Sequence, residues 1–173
     1  MKITDAMRKE VKGQGFLSNN DWKNFSCRII TENGAITADQ LINVAEIAKK
    51  YGSGDISLTS RLTLEIPGIK YEDIENTKEY LKKDNLVSGG TGSRARPIVP
   101  CKGTVCTFGF CYTQGIGTKT HKEFYEKWYD VKLSYKFKIG VGGCPNNCIK
   151  PSLNDFGVTG QFVPDFDEDM CSG

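Results

Sequence analysis

A chain of 173 residues, 38% of them apolar and 10% aromatic, is long enough for one good core or two small lobes that share one, and its composition makes no case for disorder. A formal charge of +2 is too small for a nucleic-acid binder, and no apolar run approaches the length that crosses a bilayer. The opening Met1-Lys2-Ile3-Thr4-Asp5 lacks the apolar core of a signal peptide, which points to the cytoplasm, where seven cysteines argue for metal or redox chemistry rather than disulfides.

Residues 1–20 are polar and punctuated by glycine, and read as a short helix followed by a loop. From Phe25 a strand pattern runs through Cys27, Ile29 and Thr31 to the Asn33-Gly34 turn signal. Cys27, in the middle of it, reads as a buried free thiol. Thr37-Ala38-Asp39-Gln40 is a capping box, and Leu41, Val44, Ala45 and Ala48 follow at helical spacing until Gly52 closes the helix. Ile56, Leu58, Leu62, Leu64 and Ile66 predict two short strands in a hairpin centred on Ser60 and Arg61. Ile74, Thr77 and Leu81 mark a second helix. Strand, helix, strand, strand, helix is the order of an α+β lobe of the split βαβ kind.

Residues 87–97 form a glycine-rich connector into the cysteine region. Thr120-His121-Lys122-Glu123 is a second capping box and predicts a helix opening there, with Phe124, Trp128 and Val131 on one face. Trp22, Phe124 and Trp128 are expected in the core, and His121, the one histidine, in solvent. Lys136 to Val141 alternates charged and apolar residues and predicts a strand leading into Cys144. The last ten residues are acidic.

Cys101-x4-Cys106 and Cys144-x3-Cys148 are the features that ordinary packing explains least. Two thiolate pairs on short loops bearing Gly103, Gly109, Gly142 and Gly143 can hold a centre that neither pair holds alone. An iron–sulfur cluster fits the spacing better than zinc, whose clips usually leave two residues between cysteines; zinc, or no metal, stays open at this point. Arg28, Arg61, Arg94 and Arg96 fall near these clips, as do Lys136 and Lys138 on one side of the strand before Cys144. Singly, each fits a solvated strand face. Together they would line a positive pocket suited to a small oxyanion and a polyanionic cofactor.

Arg96-Pro-Ile-Val-Pro-Cys101-Lys-Gly-Thr-Val-Cys106-Thr-Phe-Gly109 resembles the first cluster motif of the siroheme-dependent nitrite and sulfite reductases. Lys136-Phe-Lys138-Ile-Gly-Val-Gly-Gly-Cys144-Pro-Asn-Asn-Cys148-Ile-Lys-Pro151 resembles their second. Cys27-Arg28-Ile29 and Leu58-Thr59-Ser60-Arg61-Leu62-Thr63 are similar to the family's ferredoxin-like half-domain. The resemblance implies an α+β protein: a ferredoxin-like split βαβ lobe over 1–90, a siroheme and iron–sulfur lobe over 91–163, and an acidic tail over 164–173. It implies a 4Fe–4S cluster on Cys101, Cys106, Cys144 and Cys148, with Cys148 bridging to the siroheme iron. Arg28, Arg61, Lys136 and Lys138 would bind the anion and supply protons, while Arg94, Arg96 and Asn146 would hold siroheme carboxylates. The implied reaction is reduction of sulfite to sulfide or of nitrite to ammonia, with electrons from a donor protein such as a ferredoxin.

The chain departs from the family at three places. Its first clip has four residues between cysteines where the family usually has five, so Cys111 competes as a ligand: Cys106-x4-Cys111 is as short as Cys101-x4-Cys106, but Gly103-Thr104 and Gly109 fall where the motif has them and favour Cys101 with Cys106. Larger members fold two half-domains around one siroheme, and this chain has one, which implies a homodimer or the small single-lobe type. Single-lobe relatives often continue into a ferredoxin domain after an acidic segment, so Cys171 is expected to begin a further cluster in a longer protein. Two rival readings are an electron-transfer protein that kept the cluster without the haem, and a zinc-stabilised binding module.

Overall fold

Alternation along β2 (Asn24–Ile29) buries Phe25, Cys27 and Ile29 and turns Ser26 and Arg28 to the other face, as a strand with one covered face requires. In a computed structural model, which describes residues 3–165 and 169–170, this strand organises the first lobe. Cys171 lies outside the described residues. β2 pairs antiparallel with β1 (Phe16–Ser18) and with β4 (Leu64–Lys70), and β4 pairs with β3 (Ser57–Leu58), giving the order β1-β2-β4-β3. β2 and β3 therefore run the same way with β4 between them, which is the split βαβ arrangement. The edge strand β1 stands where the sequence pattern suggested a loop. After α1 (Asp5–Lys12) only Phe16 of that short segment is fully buried, and one buried side chain leaves little periodicity to read.

Two helices cover one face of the sheet. α2 (Ala38–Tyr51) begins at Thr37, whose hydroxyl accepts from the Gln40 N–H while the Gln40 side chain returns the bond, and it closes at Gly52. This is the capping box expected from the sequence. α3 (Ile74–Lys82) buries Ile74, Thr77 and Leu81. Phe16, Phe25, Cys27 and Ile29 pack with Val44, Ile47 and Ile66 into the main core. The face bearing Arg28 looks the other way, toward residues 88–97.

The second lobe is built on a parallel sheet, β5 (Val99–Pro100), β6 (Ile139–Gly142) and β7 (Phe156–Thr159), in that order. Val99 lies beside Gly140 and Pro100 beside Val141, and the next pair aligns Gly142 with Thr159. β6 is buried at every position, as the middle of a parallel sheet should be. It is shorter than the alternation from Lys136 suggested. Lys136 and Phe137 approach it outside the ladder, joined by a single bridge from Phe137 to Ala95.

α4 (Thr113–Thr120) runs on as a π-helical segment, His121–Glu126. The second capping box is therefore not a helix start. Thr120 already has helical backbone angles, and its hydroxyl bonds back to Ile116 O at 2.7 Å, so no free amide is left there to cap. Gly117 lets α4 lie against the first lobe: a Cβ there would stand 2.5 Å from Asn33 Oδ1, whose amide donates to Gln114 O and to the Thr118 hydroxyl. Phe124, in the π-helical segment, and Trp128, in the turn after it, are 53% and 48% exposed rather than core. Trp22 is exposed too, with Arg8 stacked 5.3 Å from its ring centre. Among the described residues no helix is long and apolar enough to cross a membrane.

Candidate active site

Three parallel strands release the chain at one end, and Cys101 and Cys144 stand just beyond it. Open parallel sheets gather ligands at that end. The Cys101 N–H donates to Val141 O at 2.8 Å, and its Sγ accepts the N–H groups of Gly103 and Gly143, both at 3.2 Å. Two amides aimed at one sulfur are the kind of N–H donors that surround a cluster ligand. Thr113 Oγ1 and Gln114 Nε2 both donate to the Cys101 carbonyl, at 2.8 and 2.9 Å. Phe110 N–H donates to Gly143 O at 2.8 Å, which brings Cys111 to the same strand ends. Burial pushes the Cys111 thiol up, and its neighbours Cys101 and Cys144 push it further.

Cys106 and Cys144 are half-buried, while Asn146 and Cys148 are exposed. Cys27 is apart from this group, fully buried in the first lobe, where burial strongly raises its thiol. Among the described residues no three Cys, His, Asp or Glu side chains converge as one metal ion needs. A cubane cluster asks for less convergence, since each thiolate binds its own iron.

The cations divide into two sets. Arg28 is held by Glu65, its cross-strand partner, through Nε at 2.7 Å, and by Gly90 O at 3.3 Å. Arg61, at the tip between β3 and β4, crosses to the second lobe, where Nη1 donates to Asn154 Oδ1 at 2.7 Å and Nη2 to Pro97 O at 2.6 Å. Arg96 donates to Gly90 O and to Gly92 O. Burial lowers Arg61 to about 10, with the charges of Arg96 and Arg28 adding to it. Arg96 is lowered by burial and then by Arg28. Three guanidinium groups thus oppose one another, with Glu65 the carboxylate bonded among them. Arg61 Nε is buried without a partner. An unpaired donor within an excess of positive charge is what a bound anion satisfies.

The second set lines a cavity of about 540 Å³, in which Arg94, Arg96 and Lys136 are joined by Lys9, Lys12 and Lys132. Arg94 is anchored there by Tyr129 O at 2.8 Å and Asp130 at 3.2 Å. Lys138 is half-exposed, and its backbone N–H donates to Asp155 at 2.8 Å. Arg28, Arg61, Lys136 and Lys138 therefore do not form one quartet: Arg28 and Arg61 join Arg96, and Lys136 joins Arg94 and Arg96. A larger cleft, about 920 Å³, is lined by Glu32, Glu126 and Asp130 and by no lysine or arginine. Its charge is wrong for an oxyanion. Sequence reasoning missed Glu65, Asn154, Lys9 and Lys12. The two lysines, three apart on α1, were legible as a basic stripe; Glu65 and Asn154 needed the strand register and the lobe contact.

His121 is buried rather than in solvent, its ring 4.9 Å from that of Tyr125 and its Nδ1 without a partner. Burial lowers its pKa, only partly opposed by Glu126 and Glu32. The folded state thus binds this proton less readily than the unfolded chain does, so stability is present above the unfolded pKa of 6.5 and is lost as pH falls below it. The melting temperature is expected to fall between about pH 7.5 and about pH 5.5. His121→Gln should flatten that slope, and an unchanged slope would assign it to other groups.

Two family models match the chain in succession: the nitrite/sulfite reductase ferredoxin-like half domain over residues 20–84 and the nitrite and sulphite reductase 4Fe-4S domain over residues 90–166. The chain is 32% identical over 156 residues to one of the subunits of the anaerobic sulfite reductase of Salmonella typhimurium, covering 81% of itself and 44% of that protein. It is 32% identical over 131 residues to the assimilatory-type sulfite reductase of Nitratidesulfovibrio vulgaris, covering 75% of itself and 57% of that protein. The chain thus spans about half the length of these relatives. A dissimilatory sulfite reductase I structure superposes with a TM-score of 0.67 at 24% identity, over 73% of this chain and 30% of that one. That last likeness speaks to the fold alone.

Proposed function

Because the chain belongs to the nitrite and sulfite reductase family, carrying its ferredoxin-like half-domain and its 4Fe–4S domain in succession, we propose that it reduces a small oxyanion, sulfite or nitrite. The observation that carries this reading is the joint presence of an amide-bonded cysteine sulfur at the strand ends and a buried arginine trio with one unpaired donor. Arg61 bonds at the entry of β5 and β6, whereas Cys101 and Cys144 stand at their exit. At the rise of a strand the two sites are roughly 15 Å apart. A broad polycarboxylate group serves both; a lone anion does not.

Cys101, Cys144 and Cys148, with a fourth thiolate from the loop carrying Cys106 and Cys111, hold the 4Fe–4S cluster. Arg28, Arg61, Arg94, Arg96 and Asn146 hold siroheme carboxylates and the substrate anion. When bound, siroheme supplies the iron at which sulfur–oxygen or nitrogen–oxygen bonds break, and the cluster supplies electrons singly. The arginines provide fixed positive charge where negative charge builds during reduction, at no cost of reorganisation. Lys136 and Lys138 can be reprotonated from water and deliver protons, since the single histidine is buried away from solvent. An electron donor such as a ferredoxin refills the cluster, and a second copy completes the haem pocket. The free thiols suit a reducing compartment, the cytoplasm.

The test is an absorption spectrum of anaerobically purified protein, with iron and acid-labile sulfide assayed on the same sample, followed by oxidation of a reduced viologen by sulfite or nitrite. Tetrapyrrole bands, sulfide and turnover are expected. A sulfide-containing protein without tetrapyrrole would be an electron carrier, and a zinc protein without sulfide would end the reductase reading.

A further inference from the structure

The loop after β5 offers two cysteines for one place among the cluster ligands. We infer that Cys111 fills that place and that Cys106 stands outside the ligand set. The inference rests on the proposal above that the chain holds a 4Fe–4S cluster.

The chain leaves the second sheet at Cys101, turns through the 3₁₀ segment Gly103–Val105, and first regains the sheet at Phe110. There the Phe110 N–H donates to Gly143 O at 2.8 Å, one residue before Cys144. The next side chain, Cys111, packs on the same spot. A Cβ placed on Gly160 would stand 3.2 Å from Cys111 Sγ and 2.3 Å from Gly143 O. Gly160 lies one step beyond the paired residues Gly142 and Thr159, so the Cys111 thiol rests against the exit of both β6 and β7.

The far side of Cys111 is fixed as well. Its carbonyl accepts the Thr113 N–H at 3.0 Å, and the Thr113 hydroxyl donates to the Cys101 carbonyl at 2.8 Å. A single buried threonine thus ties the backbone of Cys111 to that of Cys101. Cluster ligands must be pre-positioned by such bonds, because thiolates on a loose loop pay the ordering cost when metal binds.

Cys106 has no such tie to the strands. The bonds that hold it are those of its own turn, from its N–H to Gly103 O at 3.1 Å and from the Gly109 N–H to its carbonyl at 3.2 Å. The first clip is also one residue shorter than the spacing the cluster motif usually has, which changes where Cys106 falls relative to the strand end. Cys111 is where the chain next returns. It would bind as the thiolate, releasing its proton to solvent on ligation.

The experiment uses the whole chain as wild type, Cys106→Ser and Cys111→Ser, each reconstituted anaerobically with ferrous iron and sulfide. Iron and labile sulfide per chain are read together with the electron paramagnetic resonance of the dithionite-reduced protein. Cys106→Ser is expected to match wild type, and Cys111→Ser to lose iron and sulfide by about tenfold or more. Retention by Cys111→Ser, or equal loss in both variants, overturns the inference.

Because Cys111→Ser could simply misfold, alkylation of loaded wild type provides a second reading. Iodoacetamide should modify Cys106 and spare Cys111, and iron chelation should expose both. Modification of Cys111 in the loaded protein overturns the inference while leaving the cluster in place. Wild type that takes up neither iron nor sulfide overturns the cluster proposal itself, and this inference with it.

Discussion

Replacing Arg61 by alanine should lower stability by about 2–5 kcal/mol and abolish turnover, since the truncation removes a half-buried, hydrogen-bonded cation that joins the lobes. Its Nη1 and Nη2 bonds to Asn154, Pro97 and Ile139 have no substitute in alanine. The carbonyls of Pro97 and Ile139 would lose a charged donor at the start of β5 and β6. Part of that loss is offset, because Arg28 and Arg96 would no longer face a third positive charge. Lysine at this position keeps the charge but cannot reach two acceptors in one plane. Arg61→Lys should therefore recover less than half of the lost stability in urea unfolding. Full recovery by lysine would mean that charge alone, not the fork of hydrogen bonds, is what the lobes use.

Gly160→Val should leave the first lobe intact and prevent cluster assembly. A Cβ at this position would stand 2.3 Å from Gly143 O and 2.8 Å from Gly143 C, both backbone atoms that cannot rotate away. The strand end would have to move, carrying Gly143 and its N–H bond to Cys101 Sγ with it. Overpacking of this kind costs about 1–3 kcal/mol, and the displacement falls on the residue before Cys144. The readout is iron and labile sulfide after reconstitution, expected to drop about tenfold, alongside a far-ultraviolet signal that keeps the helices of the first lobe. A variant that loads iron normally would show that the β6–β7 exit tolerates separation. Gly160→Ala should fall between the two.

Most of the first lobe was legible because its signals are local. Thr37 and Gln40 cap a helix wherever the chain places it, and Phe25, Cys27 and Ile29 alternate over a stretch short enough to read by eye. The pairing of Arg28 with Glu65 was not legible, since it depends on a register shift between Phe25 and Cys27 that no local pattern announces. Thr120 and Glu123 imitated a cap because a capping box is defined by residue types, whereas the structure had already begun its helix at Thr113. Phe124 and Trp128 had helical spacing in sequence, but the helical segment ends at Glu126 and both side chains are exposed; periodicity does not tell where a helix stops or what covers its face. The cysteine clips announced a metal centre, yet which side of the sheet each cation would reach was set by how the lobes meet. The division of the expected quartet between Arg61 and Lys136 came from that.

The small apolar nucleus under the parallel sheet, Ile98, Ile139 and Val141 with Ile116 and Val158 against it, has a kinetic consequence. β5 and β6 meet only after the intervening chain has closed on itself: the Cys101–Gly143 bond joins residues 42 apart in sequence. Closing such a loop costs entropy before any contact repays it, and the small nucleus of the second half repays it less than a large core would. The first half closes a loop of similar span, since Cys27 pairs with Ile66, but its larger core repays that cost. Synthesis from the amino terminus presents the first lobe before the second, and iron bound at the strand ends would add to the contacts that hold the second closed.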